Sequence, residues 1–512
     1  MKKNTILLPF LTFLAASGFS HADVRLPAVF SDHMVLQRDT AVPVWGWADP
    51  GEQVTVSIAG QTQTATAGQD GKWTVKLNKL KAGDQLALTV KGKNTLKVED
   101  VLVGDVWLGS GQSNMAMTVN RAKDYDQEMA AANFPKLRMF TVARNPQPKA
   151  QSDCQGKWEI CSPDTVGAFS ATAYFFGREV HQKLGVPVGL INSSYGGTSV
   201  EAWTSMAAQA KLPEYKMIAA SWVAQTSVPW DQAKADAQYE KQLAAWKAKA
   251  KEAKAKGGKV ARAPRKPVDP RLSQNYPANL YNGMIAPLIP YALKGAIWYQ
   301  GENNANKGFA KLYGLQLATL IKDWRARWGY DFPFAWGQLP NFKKPQVEPV
   351  ETTGWVLVRE GMLNTLKLPH TGMAITVDIG EAGDIHPKNK QEAGQRLALW
   401  ALGDVYHQKG VASSGPLLAG HQVRGKEIVL SFKHADGGLQ AKDGELKGFA
   451  IAGADQKWHG AKARIDGDKV IVFSDDVAQP AAVRYAWADN PNCNLFNGAG
   501  IPAAPFRTDN WE

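Results

Sequence analysis

The sequence has little cysteine and, beyond its N-terminus, no long apolar run. Three cysteines among 512 residues are too few for a fold that disulfide bonds hold together. Charged residues make up 21% of the chain and hydrophobic residues 44%, a balance that excludes an intrinsically disordered chain and a protein with many membrane spans. We therefore expect a folded protein of roughly two to four domains without membrane insertion.

The one long apolar run lies at the N-terminus. Lys2 and Lys3 precede an apolar stretch that begins at Ile6, and a Ser-His-Ala sequence ends at Ala22. This order is typical of a secretory signal peptide, and the stretch is shorter than the roughly 20 residues that cross a bilayer. We expect residues 1–22 to be cleaved and the mature chain to be periplasmic or secreted.

The excess of positive charge is local. The formal net charge is +12, but residues 231–270 alone contain 11 Lys or Arg against 5 Asp or Glu. This stretch is rich in alanine and lysine and ends in glycine and proline, which predicts an exposed helical insertion followed by a linker. Solvated lysines on such a helix account for the charge, and we expect no nucleic-acid partner.

The cysteines are not arranged for catalysis or metal binding. Cys154 and Cys161 are seven positions apart around Trp158, so we expect a local disulfide, with Cys493 as a free thiol. None of the three lies in a recognisable nucleophile motif, and a metal site would need Cys or His partners close by. No metal site is predicted.

The spacing of apolar residues divides the rest of the chain into three domains. From 23 to 102, short alternating segments are separated by turn residues, which is typical of an antiparallel β-sandwich. From 103 to 410, apolar strands alternate with helical stretches, and from 411 to 512 the alternating β pattern returns. We predict an α/β core between two β-sandwich domains.

Four compact apolar segments are the predicted strands of the α/β core. Each is followed by a loop, and the alternation of strands with helical stretches predicts a largely parallel sheet. The segments are residues 106–108, 188–191, 296–299 and 373–377. Parallel sheets bind ligands at the carboxyl ends of their strands, so the loops after these segments are the predicted site.

The loop after the first strand carries a serine at a strand-to-helix turn. Ser113 follows Gly111 and Gln112 and precedes a predicted helix. The helix N-terminus and the N–H group of the serine itself can stabilise an oxyanion, which suits a nucleophile. Met115 stands where the nucleophile elbow of α/β-hydrolases has its second glycine. A serine before a helix is also a common N-cap, so both roles remain open.

The loop after the last strand carries the histidine that a serine nucleophile needs. His386 precedes Pro387, which favours an extended backbone at the histidine. Asp384 lies two positions earlier, on the same side of an extended segment. The loop therefore supplies a general base with a carboxylate that can orient it, although a His-Asp pair also occurs as a structural contact.

The two remaining loops offer hydrogen-bond donors for an oxyanion. Residues 193–199 contain Gly196 and Gly197, and residues 300–304 begin with the amide of Gln300. Such donors stabilise the tetrahedral intermediate of ester hydrolysis. Taken singly, the glycines fit an ordinary turn and Gln300 fits a buried amide, but the four loops together indicate a serine esterase.

Together these motifs resemble those of the sialate O-acetylesterase family, SGNH-type hydrolases related to acetylxylan esterases. The resemblance rests on Gly111–Met115, on Ser194–Thr198 with Trp203, on Trp298–Asn303, on Asp384–Pro387 with Lys390, and on Val29–Gln37 in the first β domain. It covers nearly the whole mature chain. It implies a flavodoxin-like three-layer α/β core that removes O-acetyl groups from sugars.

The resemblance also implies roles for motif residues. Ser113 matches the nucleophile and His386 the general base. The backbone N–H groups of Ser113 and Gly197 match oxyanion donors, and Gln300 stands where the general SGNH pattern carries an asparagine amide. No metal or organic cofactor is implied.

The resemblance leaves more than one partner open for the histidine. The wider superfamily usually carries the acid three positions before the histidine, where this chain has Gly383. Asp384 is the first candidate, and the alternatives are Asp378, Glu381 or a backbone carbonyl in place of a carboxylate.

The implied substrate is an acetylated sugar or oligosaccharide, and Trp203, Glu302 and Asn303 are the candidate binding residues. Arg359 and Arg178 are candidates for the carboxylate of a sialic acid, whereas acetylated xylan or another plant glycan would suit aromatic platforms. A rival from another class is a non-catalytic carbohydrate-binding protein on a degenerate hydrolase core. It would bind glycans without releasing acetate.

Overall fold

The structure is a computed structural model that describes residues 23–347 and 352–511. The predicted signal peptide, residues 1–22, lies outside the described residues. Within the described part of the chain, no helix is both long enough and apolar enough to cross a membrane. The buried apolar side chains form three clusters that follow the layers of the fold.

The N-terminal β region packs its strands around one apolar core. The strands are β1 (Val35–Gln37), β2 (Val42–Trp47), β3 (Gln53–Ile58), β4 (Gln61–Thr66), β5 (Lys72–Leu77), β6 (Gly83–Lys91) and β7 (Thr95–Gly111). β2 pairs with β5, while β3, β4, β6 and the first half of β7 form a second sheet. Alternate side chains are buried, as Trp73, Val75 and Leu77 are on β5, because successive residues of a strand point to opposite faces.

Six further strands join the second half of β7 in the central sheet. They are β8 (Phe134–Thr141), β9 (Trp158–Cys161), β10 (Val188–Ser194), β11 (Gly295–Tyr299), β12 (Phe334–Gly337) and β13 (Thr371–Ala374). The order is β13-β12-β11-β7-β10-β8-β9, and all neighbours are parallel except β8 and β9. The four predicted strands correspond to β7, β10, β11 and β13, whereas β8, β9 and β12 were not predicted.

Strand β7 runs without a break from the N-terminal region into the central sheet. It pairs with β6 as far as Val103 and with β10 from Asp105 onward. The predicted domain boundary between residues 102 and 103 lies inside this strand. The buried Asp105 carboxylate marks the junction, where it accepts two hydrogen bonds from Arg38 at 3.0 and 2.9 Å and one from Gln37 at 3.1 Å.

Helices lie on both faces of the central sheet. The α-helices of the described chain are α1 (Ser113–Ala116), α2 (Tyr125–Ala130), α3 (Pro163–Val166), α4 (Ala171–Leu184), α5 (Val200–Trp203), α6 (Met206–Gln209), α7 (Tyr215–Thr226), α8 (Gln232–Ala255), α9 (Glu302–Ala305), α10 (Tyr313–Trp328), α11 (Gly354–Thr365) and α12 (Lys390–Trp400), of which α8 does not pack on the sheet. α4 and α12 share a core with Trp107 of β7, and α10 and α11 share another with Leu108. Adjacent strand residues face opposite layers, so the core has three layers, as predicted.

Helix α8 is the basic insertion and stands apart from these layers. It has no buried side chain over its 24 residues. Its N-cap is Asp231, whose carboxylate accepts the Lys234 backbone N–H at 2.9 Å. The indole of Trp246 donates to the Ala261 carbonyl at 2.8 Å, so the helix contacts the chain segment that returns from it.

The C-terminal β region has a core of its own. Its strands are β14 (Leu417–Arg424), β15 (Glu427–Lys433), β16 (Leu439–Ala441), β17 (Phe449–Gly453), β18 (Trp458–Gly460), β19 (Lys462–Asp466), β20 (Lys469–Phe473), β21 (Pro480–Tyr485), β22 (Leu495–Asn497) and β23 (Phe506–Arg507). Two antiparallel sheets of four strands, β14-β15-β20-β19 and β18-β17-β21-β23, supply most of its core, and β16 pairs with β22.

The predicted disulfide between Cys154 and Cys161 is wrong. Both cysteines are buried free thiols, and burial raises the pKa of each to about 12. Cys154 belongs to the apolar core on one side of the sheet and Cys161 to the core on the other side. The sheet separates the two sulfurs, so proximity in the sequence does not bring them together.

The two arginines that were candidates for a substrate carboxylate are structural. Arg359 of α11 is 1% exposed and donates to the backbone carbonyls of Leu339, Pro340, Ala488 and Asp489 at 2.6 to 3.0 Å. Arg178 of α4 pairs with Glu128. Arg359 therefore links the α/β core to the C-terminal region.

Replacing Arg359 tests this link. We expect Arg359→Met to lower the free energy of unfolding by about 3–5 kcal/mol. The buried Leu339 and Ala488 carbonyls would lose the donor that the structure gives them, whereas the Pro340 and Asp489 carbonyls would keep Trp355 and the Phe342 N–H. Urea titration followed by tryptophan fluorescence measures the change. Arg424→Met is the matched control, since Arg424 is exposed and its side chain donates a hydrogen bond to the Gln422 side chain at 3.1 Å. Equal stability of the two variants would contradict the assignment.

Candidate active site

The loop that carries Ser113 is formed by a close approach of two strands. At Gly111, the last residue of β7, φ is +133°, and an added Cβ would lie 2.2 Å from the Tyr299 carbonyl oxygen on β11. Only glycine fits such a position. The Gln112 N–H then donates to the same carbonyl at 2.9 Å, and Ser113 begins helix α1 as a half-buried residue.

The glycine loop after β10 lies directly over the serine. A Cβ added at Gly196 would be 3.3 Å from the Ser113 Cβ. The neighbouring Tyr195 N–H donates to the Gly111 carbonyl at 3.0 Å, which joins the two loops. Gly197 has a left-handed backbone with φ of +71° and no atom within 4 Å of an added Cβ. The predicted serine and glycine loops are thus in contact.

Asn114 brings the histidine loop to the serine. The amide of Asn114 donates to the Ile385 carbonyl at 3.1 Å, so the residues next to Ser113 and His386 are hydrogen-bonded to each other. The ammonium of Lys390, at the start of α12, donates to the Asn114 side-chain oxygen at 2.9 Å and to the Pro387 carbonyl. The backbone on both sides of His386 is therefore held.

A buried acid completes this cluster. Glu302, from the loop after β11, accepts a hydrogen bond from the Asn114 amide. Burial raises the pKa of the Glu302 carboxyl and lowers the pKa of the Lys390 ammonium to about 7. Glu302, Asn114 and Lys390, which we call the Asn114 cluster, join three of the four predicted loops. Glu302 is 2% exposed and is not placed to bind substrate, contrary to the sequence-based prediction.

His386 has one carboxylate at ion-pair distance among the acids considered. The Asp384 carboxylate lies 3.6 Å from His386 Nδ1 and accepts the His386 backbone N–H at 2.9 Å. Asp378 is held by Arg396 through two hydrogen bonds of 2.6 and 2.8 Å. Glu381 accepts the Lys388 backbone N–H at 2.7 Å.

The imidazole of His386 is partly exposed, and burial lowers its pKa below the usual 6.5. The charge of Asp384 raises the pKa and offsets part of this shift, while Lys390 and Arg121 lower it further. His386 is therefore neutral over most of the physiological pH range, the form in which it can accept a proton.

Gln300 does not point its amide into the site. It is fully buried, and its amide nitrogen lies 2.7 to 3.3 Å from oxygens of Gln112, Thr198 and Asn304. The amide oxygen accepts from the Tyr313 hydroxyl at 2.9 Å. Gln300 thus stabilises the glycine loop through its hydrogen bond to the Thr198 carbonyl. This geometry does not fit the prediction that Gln300 is a direct oxyanion donor.

Asn303 is the partly exposed amide at this edge. Its side chain donates to the Gly197 carbonyl at 2.8 Å, and its backbone N–H donates to the Gln112 side chain at 3.3 Å. Trp203, in contrast, is fully buried and donates to the Thr198 hydroxyl at 3.0 Å. Trp203 has no surface to offer a substrate, contrary to the prediction.

The sequence pointed to the four loops but missed the residues that join them. Asn114 and Lys390 lie in the motifs, one next to Ser113 and the other four positions after His386. Neither was a candidate site residue, because a polar residue in a motif does not reveal its partner in a different loop. No group of three or more His, Cys, Asp or Glu side chains within 23–347 and 352–511 is arranged to hold a metal ion.

Comparison with known families agrees with this arrangement. A family of carbohydrate esterases described as sialic acid-specific acetylesterases matches residues 103–268 and 270–402. The chain belongs to this family. The match covers the sheet, the four loops and the insertion, so the acetylesterase is a carboxylic ester hydrolase whose family acts on carbohydrates.

The similarity of the acetylesterase to individual relatives extends beyond the residues that the family matches. Sialate O-acetylesterase from Rattus norvegicus is 29% identical over 94% of each chain. The human sialate O-acetylesterase is 28% identical over 98% of this chain and 95% of its own. A crystal structure of a carbohydrate acetylesterase from Xanthomonas citri is 39% identical, with a TM-score of 0.80, and covers 95% of this chain and 100% of its own. Both β regions therefore belong to the shared architecture.

The Asn114 cluster can be tested in the acetylesterase directly. We expect Lys390→Met to lower kcat for acetate release about 10²-fold with a smaller change in KM, because a displaced His386 loop loses its alignment with the serine. Steady-state kinetics measure the change. Lys388→Met is the control, since Lys388 is exposed and only its backbone contacts Glu381. Similar kinetics for both variants would contradict the role of Lys390.

Proposed function

We propose that the protein is a serine esterase that removes O-acetyl groups from sialic acids through an acetyl-enzyme on Ser113. The observation that carries this proposal is the link between two loops. Ser113 starts helix α1 beside the glycine loop, and its neighbour Asn114 holds the backbone next to His386. The proposed nucleophile and the proposed base, from distant parts of the chain, therefore lie on loops that are hydrogen-bonded to each other.

The reaction has two steps. In the first, Ser113 Oγ attacks the acetyl carbonyl, and its proton passes to His386. The C–O bond to the sugar then breaks, and the sugar oxygen takes the proton from His386 as it leaves. In the second, a water molecule gives a proton to His386 and attacks the acetyl-serine ester, which releases acetate and restores the serine hydroxyl.

Three donors are available to the oxyanion in this proposal. The backbone N–H groups of Ser113 and Gly197 lie on adjoining loops, and the Asn303 amide is hydrogen-bonded to Gly197. Asn303 thus takes the position that the sequence assigned to Gln300. The N-terminus of α1 adds a favourable dipole at the serine. Each donor contributes about 2.7–4 kcal/mol where it meets developing charge.

Asp384 orients the imidazole in this scheme. Its carboxylate faces Nδ1 at 3.6 Å, which leaves Nε2 for the serine hydroxyl. This separation is longer than a hydrogen bond, and catalytic contacts of this kind often tighten only when substrate is bound. We therefore assign to Asp384 a smaller share of catalysis than to His386.

The choice of sialic acid rests on the names of the matched family and of the mammalian relatives. Acetylated xylan is the second candidate, since the Xanthomonas citri structure is named only as a carbohydrate acetylesterase. Side-by-side measurement of acetate released from 9-O-acetylated sialic acid and from acetylated xylo-oligosaccharides decides between them. No acetate from either would favour the non-catalytic carbohydrate-binding alternative.

We also propose that the mature protein is exported to the periplasm or secreted. The support is the basic and apolar sequence of residues 1–22.

Removing the nucleophile is the direct test of the mechanism. We expect Ser113→Ala to reduce acetate release from O-acetylated sialic acid or p-nitrophenyl acetate by about 10⁴–10⁶-fold, because no acetyl-enzyme can form. Circular dichroism should show an unchanged fold. Ser110→Ala is the control, since the buried Ser110 hydroxyl has no hydrogen-bond partner among the described residues. Turnover retained in Ser113→Ala would overturn the proposal.

The pH dependence tests the pairing of Asp384 with His386. A general base must be neutral, and Asp384 raises the pKa of His386. We expect Asp384→Asn to lower kcat/KM about 10-fold and to move the acidic limb of its pH profile to lower pH, because the charge that favours the protonated imidazole is gone.

Glu381→Gln is the control for this experiment, since Glu381 bonds to the Lys388 backbone rather than to the imidazole. Its acidic limb should stay in place. An acidic limb of Asp384→Asn that is unmoved, or that moves to higher pH, would show that Asp384 is not the partner of His386.

A further inference from the structure

A groove away from the candidate active site lies between the hydrolase core and the C-terminal β region. Helices α10 and α11 form one wall, and the sheet β18-β17-β21-β23 forms the other. Its volume is about 1150 Å³, and among the described residues none of those in the loops of Ser113, Gly197, Asn303 or His386 lines it. This volume exceeds the roughly 300–1,000 Å³ of a small-molecule pocket, so it suits an extended ligand of several linked units.

Two tryptophans lie on the C-terminal wall of this groove. Trp458 and Trp511 are both partly exposed, and their ring centroids are 5.6 Å apart. A pyranose ring has a face of C–H groups that packs on an indole, while its hydroxyls stay free for hydrogen bonds at the edge. The pair therefore provides an apolar platform with polar surroundings, which is what a sugar chain needs.

The platform is held in place before any ligand binds. The buried Arg484 guanidinium lies 4.3 Å from the Trp458 ring centroid and makes two hydrogen bonds, of 2.9 and 2.8 Å, to Asp509. Arg507 donates to the Trp511 carbonyl at 2.8 Å and to the Glu360 carboxylate on α11 at 2.6 Å. Both tryptophans are thus held in place, so less conformational entropy is lost when a ligand binds.

The rim of the groove has polar side chains without partners. Lys311, Lys367, Asn364 and Gln456 are exposed, and no other described residue forms a hydrogen bond or an ion pair with their side chains. The acidic side chains at the groove are already paired, Glu360 with Arg507 and Asp509 with Arg484. Among the described residues that line the groove, the two lysines are therefore cations without an acidic partner, which favours a ligand with carboxylates.

We propose that this groove is a non-catalytic binding site for an acidic oligosaccharide, a chain of pyranose units that carries carboxylate groups. The tryptophans pack against the sugar rings, the amides bind hydroxyls, and the lysines bind carboxylates. Such a site keeps the enzyme on its polymer while the serine edge acts on acetyl groups elsewhere along it. The proposal does not depend on the identity of the nucleophile, because binding here requires no ester hydrolysis.

Calorimetric titration of the full chain tests the site. The ligands are trigalacturonate, 3′-sialyllactose and lactose, which represent oligosaccharides with uronic acid, with sialic acid and without charge. We expect saturable binding of at least one acidic oligosaccharide, with lactose at least about tenfold weaker. Trp511→Ala should weaken binding of the acidic ligand by about tenfold or more. The Lys311→Gln/Lys367→Gln double variant should remove the preference for acidic oligosaccharide over lactose.

Trp246→Ala is the matched control, because Trp246 is a partly exposed tryptophan on helix α8, outside the groove. It should bind as the unchanged protein does, and thermal unfolding checks that each variant is folded. Binding of acidic oligosaccharide that survives Trp511→Ala would place the ligand elsewhere, at the serine edge for example, and would overturn the proposal. So would the absence of saturable binding by both acidic ligands, or equal affinity for lactose.

Discussion

The geometry of the candidate active site depends on one buried asparagine. Asn114 uses its amide N–H groups for Glu302 and for the Ile385 carbonyl, and its oxygen for Lys390. In a low-dielectric interior each of these groups would be costly without its partners, so the three loops are stable only in the arrangement that satisfies all of them. Such a network contributes little to net stability but strongly restricts where His386 can lie relative to Ser113.

The same network changes the charges that it contains. Burial favours the neutral forms of both Glu302 and Lys390, and Asn114 lies between the two. An amide can hydrogen-bond to either side without carrying charge itself. Burial is the main cause of the lowered pKa of His386, and the charge of Lys390 lowers it further.

Sequence reasoning placed the candidate catalytic loops at one edge of the sheet because its signals are local. The carboxyl ends of parallel strands share one edge, so the prediction of a largely parallel sheet was enough to place the loops of Ser113 and His386 on the same side. The direction in which a side chain points depends on residues that are distant in the sequence. Gln300 was therefore predicted as an oxyanion donor, although its amide donates to Thr198 and Asn304. Cys154 and Cys161 are close in sequence but lie in cores on opposite sides of the sheet, and the sequence did not show this.

The continuity of β7 has a consequence for how the chain is made. Its first half can pair with β6 as soon as that hairpin has been synthesised. Its second half, which contains Trp107 and Leu108, is joined to the first but has no neighbour until β10 and later β11 have been synthesised. Until then the apolar second half of β7 is an unpaired strand edge, which makes it a segment of the nascent chain that is prone to pair with another chain.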